Sequence, residues 1–209
     1  LEHPAATGFV KFQDPYVYRS DIPFKNDQEA SAYYINKIKE QIAYEGAVNI
    51  AAIFVESITG ANGVIIPPDG YLQGIRKICD ENGILLVADE VQTGFCRTGR
   101  MFATNYWEES GVQPDILATA KSIAAGVPLS AIVAREEIME ASAPGTIGGT
   151  FCGNALACAA ALKTIEIMER NDIAGRSCEI GEKVSKRFNE WKEKYPVVLP
   201  KHYEAGDDE

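Results

Sequence analysis

Apolar residues recur along this chain in two rhythms, and each change of rhythm marks a new element. From Asn26 and Asp27 onward, Tyr34, Ile38 and Ile42 return every fourth position, which sets them on one face of a helix that Gly46 is placed to stop. Residues 50–55 are then almost continuously apolar and end in Glu56. A strand of that kind is expected to be buried on both faces, as in a parallel sheet. After a loop punctuated by Gly60, Gly63, Pro67, Pro68 and Gly70, the residues Leu72, Ile75, Ile78 and Cys79 make the inner stripe of a second helix, closed by Gly83. A second apolar strand follows at 84–88. Strand, helix, strand is thus the order, and a right-handed crossover between parallel neighbours is the expectation.

Two further strands are predicted, at 115–119 and at 130–134, separated by a turn over 126–128. Residues 90–100 read as a polar, glycine-rich stretch. Helical patterns occupy 136–141 and 155–170. In the latter, Ala155, Ala157, Ala159, Ala160 and Ala161 either permit close approach to a neighbour or simply raise helix propensity. A last amphipathic helix carries Ile180, Val184, Phe188 and Trp191 on one face. Residues 1–25, interrupted by Pro4, Pro15 and Pro23, read as an irregular N-terminal segment. The pattern as a whole predicts an α/β architecture.

Charge narrows the partners. Thirty acidic against twenty basic residues give a net charge of −10, which disfavours nucleic acid or an anionic membrane surface. Five cysteines without Cys-x-x-Cys spacing read as reduced thiols, and two histidines are too few for a histidine-rich metal site. No apolar run is long enough to span a bilayer, and the first residues lack the order of a signal peptide, so the cytoplasm, or an organelle matrix after cleavage, is the expected location.

Open α/β sheets place their ligands at the carboxyl ends of their strands. Glu56, Asp89 and Lys121 each follow a predicted strand and should emerge at that edge if the strands are neighbours. A carboxylate and an amine so placed suit a pyridoxal phosphate enzyme. The anion keeps the pyridine nitrogen protonated, and the lysine closes an imine with the aldehyde before carrying protons. Burial of that lysine would favour its neutral form. Taken singly, each residue has a plainer explanation: a helix cap or surface ion pair for Asp89, a solvated side chain for Lys121 and for Glu56. The phosphate-loop, dinucleotide and nucleophile-elbow motifs are not found. Composition and spacing alone therefore stop at an α/β enzyme-like domain.

Longer blocks go further. Residues 85–99 (LLVADEVQTGFCRTG), 114–129 (PDILATAKSIAAGVPL) and 148–155 (GGTFCGNA) resemble class III aminotransferases of the fold type I pyridoxal phosphate superfamily, in order and in separation. The resemblance is strong from 48 to 170 and weaker to 197. It implies part of a three-layer large domain, a mostly parallel sheet flanked by helices, over 26–171. It also implies a helix at 172–198 leading toward a small domain, and a tail at 199–209 unlike the family.

The resemblance also implies roles. Asp89 resembles the carboxylate that pairs with the pyridinium nitrogen, and Lys121 the Schiff base lysine. Val91 resembles the apolar residue packed on the ring, and Gln92 the amide beside the phenolic oxygen. Thr150 resembles the threonine that reaches the phosphate bound by the other subunit, which implies a homodimer with shared sites. Glu56 is similar to the glutamate that, in 4-aminobutyrate aminotransferases, pairs with a mobile arginine so that one pocket accepts both an ω-amino acid and a dicarboxylate. Ser57 stands where the family more usually has proline.

The expected reaction moves an amino group from an ω-amino acid to a 2-oxo acid such as 2-oxoglutarate or pyruvate. An aminomutase of the glutamate-1-semialdehyde type and a non-catalytic fragment are the alternatives. By the same resemblance the chain begins after the family's phosphate loop and stops before the switch arginine.

Overall fold

The computed structural model describes residues 7–195; the expected tail at 199–209 lies outside them. The first long helix, α1 (Asp27–Glu45), starts where Asn26 accepts the Glu29 N–H at 2.9 Å, and Glu29 Oε2 reaches back to accept the Lys25 N–H. It ends at Gly46, whose φ of 80° lets its N–H turn back to the Ile42 carbonyl. The buried stripe is the predicted one: Tyr34, Ile38 and Ile42.

Strand β1 (Ala52–Glu56), helix α2 (Tyr71–Asn82) and strand β2 (Leu85–Asp89) follow as expected, with Gly83 in the left-handed region closing α2. The short helix α3 (Thr104–Glu109) precedes β3 (Ile116–Thr119), a 3-10 turn at Lys121–Ala124, and β4 (Ala131–Ala134). Helices α4 (Glu136–Glu140), α5 (Ala155–Arg170) and α6 (Ile173–Lys194) complete the described chain. The sheet order is β1-β2-β3-β4. The first three strands are parallel and β4 runs antiparallel to β3, so the sheet is mostly parallel.

Alternation along the strands fixes which side chains meet the core. Ile53 and Val55 of β1 and Leu86 and Ala88 of β2 join the cluster built on Tyr34, Ile38, Ile75 and Ile78, so α1 and α2 cover that face. Full burial of Ile75 or Leu86 contributes about 1.5–3 kcal/mol each. Leu86, Val87 and Ala88 are buried in succession, so β2 is covered on both faces. That expectation fails for β1. Phe54 is 59% exposed, because β1 is the sheet edge and no described layer lies over its second face.

Asp115 fastens the opposite, amino end of the sheet. Its Oδ2 accepts the Leu86 N–H at 2.7 Å and Arg76 Nη1 at 2.9 Å, while its Oδ1 lies 2.9 Å from Arg135 Nη2. Burial pushes this carboxyl up, but the Leu86 N–H together with Arg76 and Arg135 outweighs it and holds the group below its ordinary value.

Two other expectations are corrected. The stretch predicted as polar at 90–100 buries Glu90, Thr93, Phe95 and Cys96, and α3 follows it unannounced. The apolar face of α6 forms but lacks a full cover, with Ile180, Val184, Phe188 and Trp191 between 40% and 55% exposed. No described helix is long and apolar enough to cross a membrane.

Candidate active site

Glu56 and Asp89 are register partners on the last rung of the β1–β2 ladder, and Asp89 pairs in turn with Ala118 of β3. Partners across a ladder share a face. Since Val55 and Ala88 face the α1–α2 core, Glu56 and Asp89 face away from it. Each carboxylate is oriented by the turn that follows its own strand: Glu56 Oε2 accepts the Gly60 N–H and Asp89 Oδ1 accepts the Val91 N–H, both at 2.9 Å. A cavity of about 220 Å³ opens beside them, with Phe54, Asp14, Asn62 and Tyr71 among its other walls.

Lys121 arrives at the same edge by a different device. The chain leaves β3 at Thr119, and at Lys121 it takes a φ of 44°, a left-handed conformation that costs a non-glycine residue energy and is concentrated at functional sites. Ile123 and Ala124, two and three residues on, are buried with Phe95 and Ala161, so the turn is anchored beneath α5. Of the small residues of α5, Ala157 and Ala161 are buried and serve close packing, whereas Ala155 and Ala159 are exposed. Lys121 Nζ donates to Gln92 Oε1 at 3.1 Å, which joins the β3 turn to the β2 turn.

The structure therefore brings Glu56, Asp89, Val91, Gln92 and Lys121 to one sheet edge. Val91 is half-buried there. Lys121 is exposed, because its side chain leaves the strand ends and no described layer lies over it. Among the described residues Thr150 makes no hydrogen bond to this edge and lines no wall of its cavity; it sits in the exposed stretch between α4 and α5.

Two residues at this edge escaped the sequence reading. Glu90 is fully buried, accepting Thr93 Oγ1 at 2.5 Å and the Thr104 N–H at 2.6 Å, and so ties the turn after Asp89 to the start of α3. Strand alternation was the usable signal: with Asp89 turned to the cleft, Glu90 must turn inward, where Thr93 is within reach. Tyr71 is 3% exposed, its hydroxyl has no hydrogen-bond partner among the described residues, and burial pushes its phenol pKa up. Nothing in sequence distinguished it from a core aromatic.

A mostly parallel α/β sheet with carboxylates and an amine gathered at the carboxyl ends of its parallel strands is an arrangement many ligand-binding enzymes share, and comparison with known proteins narrows it. The family model described as aminotransferase class-III matches residues 2–200, and the chain belongs to that family. It is 37% identical over 203 residues to a probable 4-aminobutyrate aminotransferase of Bacillus subtilis, covering 93% of this chain and 46% of that protein. Among solved structures, a thermostable (S)-enantioselective ω-transaminase from Thermomicrobium roseum superposes with a TM-score of 0.84 at 36% identity, covering 92% of this chain and 43% of the other. The taurine:2-oxoglutarate aminotransferase of Bifidobacterium kashiwanohense, solved with pyridoxal phosphate and glutamate, gives 0.83 at 37% identity, with 90% and 43% covered. The chain thus spans less than half the length of these relatives. Pyridoxal phosphate is the family's cofactor.

Proposed function

We propose that this chain supplies the cofactor-holding part of a pyridoxal phosphate aminotransferase that takes its amino group from an ω-amino acid and delivers it to a 2-oxo acid. The observation that carries this is the shared edge: Glu56, Asp89 and Ala118 on one rung, with the Lys121 turn directly beyond and its amine bonded to Gln92. The residues present suit the group. Asp89 offers a fixed anion for a pyridinium nitrogen, Lys121 a primary amine for an aldehyde, Gln92 an amide for a phenolic oxygen, and Val91 an apolar surface for a ring.

When bound, the cofactor supplies an aldehyde that captures amines and a ring that withdraws electrons. The chain's own part is to hold and to move protons. Asp89, kept in place by the Val91 N–H, faces the cleft as the charge partner. Lys121, once its amine is free, carries a proton at Nζ, and the Gln92 amide sets where that nitrogen points. Glu56 guards the donor side of the cavity beside Tyr71 and Asn62.

Resemblance to proteins named for 4-aminobutyrate and for taurine supports an ω-amino donor. Thr150, held out on an exposed stretch, suits a role at a partner's phosphate, and with it a homodimer. We further place 26–171 in the large domain, with α6 leading toward the small one. Five free cysteines accord with the cytoplasm.

The test is amino transfer by the protein loaded with pyridoxal phosphate. It is offered 4-aminobutyrate, taurine or β-alanine with 2-oxoglutarate or pyruvate. Glutamate or alanine should form, and Lys121→Ala should abolish it. No transfer from any donor, or transfer undiminished in the variant, would overturn the reading.

A further inference from the structure

Gly60 lies on the loop after β1, and its backbone does not fall in the left-handed region, so conformation alone does not require glycine there. Space does. A Cβ built on Gly60 would lie 2.5 Å from Gln92 Nε2, 2.7 Å from its Cδ and 2.8 Å from its Oε1. Those are the atoms of the amide whose Oε1 accepts from Lys121 Nζ. Meanwhile the Gly60 N–H donates to Glu56 Oε2, and the Gly60 carbonyl accepts from Gly63 and Val64, so the loop is pinned and cannot drift aside freely. Gln92, an exposed side chain with several rotatable bonds, is the part that would yield.

We propose that Gly60 is a positioning residue for Lys121: its missing side chain is the slot in which the Gln92 amide lies while holding the lysine amine. One loop then bears on two parts of the site, since the residue that orients the Glu56 carboxylate also sets the place of the amide that orients Lys121. The inference rests on reading Lys121 as the working amine. A methyl group at position 60 displaces Gln92 and frees Nζ, at little cost to the fold, because a solvent-facing amide has elsewhere to go.

The test is made on cofactor-free protein, so that its failure is separable from failure of amino transfer. Wild type, Gly60→Ala, Gln92→Ala and the double variant are treated with acetic anhydride across pH 7–11, and acetylation of Lys121 is followed by peptide mass spectrometry, with Tm measured alongside. Freed from the Gln92 amide, Lys121 Nζ should be acetylated about two- to fivefold faster in each single variant. Gly60→Ala should add nothing in the Gln92→Ala background, because the clashing atoms are gone. Equal effects of Gly60→Ala in both backgrounds, or a fall in Tm with Lys121 reactivity unchanged, would overturn the proposal, as would no effect at all.

Discussion

Asp89 and Glu56 face one another across the last rung of the parallel β1–β2 ladder, one interstrand spacing apart and on the side of the sheet turned away from the α1–α2 core. Two carboxylates on one rung make that corner attractive to cationic groups. Because each is held by an N–H from its own turn, neither depends on the other for its orientation.

Asp89→Asn keeps the size of the side chain and an oxygen for the Val91 N–H but removes the charge. Loss of one charge-assisted bond of about 1.5–3 kcal/mol should weaken pyridoxal phosphate binding roughly tenfold to a hundredfold. Absorbance titration with the cofactor measures this, and far-ultraviolet circular dichroism should be unchanged.

Glu56→Gln tests the donor side. If Glu56 serves an ω-amino donor, kcat/KM for that donor should fall about tenfold, the equivalent of one charge-assisted contact, while that for the 2-oxo acid moves much less. Equal losses for both substrates would assign Glu56 a structural part only.

Glu90→Ala should act on stability. It strips a fully buried carboxylate from Thr93 and leaves the Thr104 N–H without its acceptor, a loss on the order of 3 kcal/mol. The urea midpoint reads it directly.

Asp115 gives the fold an acid limit. Its folded-state pKa lies below the unfolded value, so its contribution is complete above the ordinary carboxylate range and is lost as pH falls through the folded pKa. Asp115→Asn should cost on the order of 3 kcal/mol at pH 7, by leaving Arg76 without its buried partner. The gap between wild type and variant should close below about pH 4. Urea unfolding at pH 7, 4 and 3 measures it.

Much of this site was legible in the chain because strand ends announce themselves. The apolar runs ending in Glu56 and Asp89 placed both carboxylates at one edge, and the buried stripes of α1 and α2 followed from helical spacing alone. What the pattern could not give was adjacency. That Glu56, Asp89 and Ala118 share a rung depends on register, and register is a property of paired strands. The slot at Gly60 was hidden for the same reason, since Gln92 lies 32 positions away in the sequence. Phe54 misled in the opposite direction: local apolarity pointed to burial, whereas burial needs a covering layer that its own segment does not supply.

The central claim is that one amine, on Lys121, takes hold of the cofactor. The protein is incubated with pyridoxal phosphate, reduced with borohydride and digested, and the attachment point is found by peptide mass spectrometry. The account predicts a pyridoxyl group on Lys121 at one equivalent of cofactor, and greatly diminished labelling there in Asp89→Ala. Label scattered over surface lysines such as Lys77 and Lys163, with none preferred at Lys121, would contradict it.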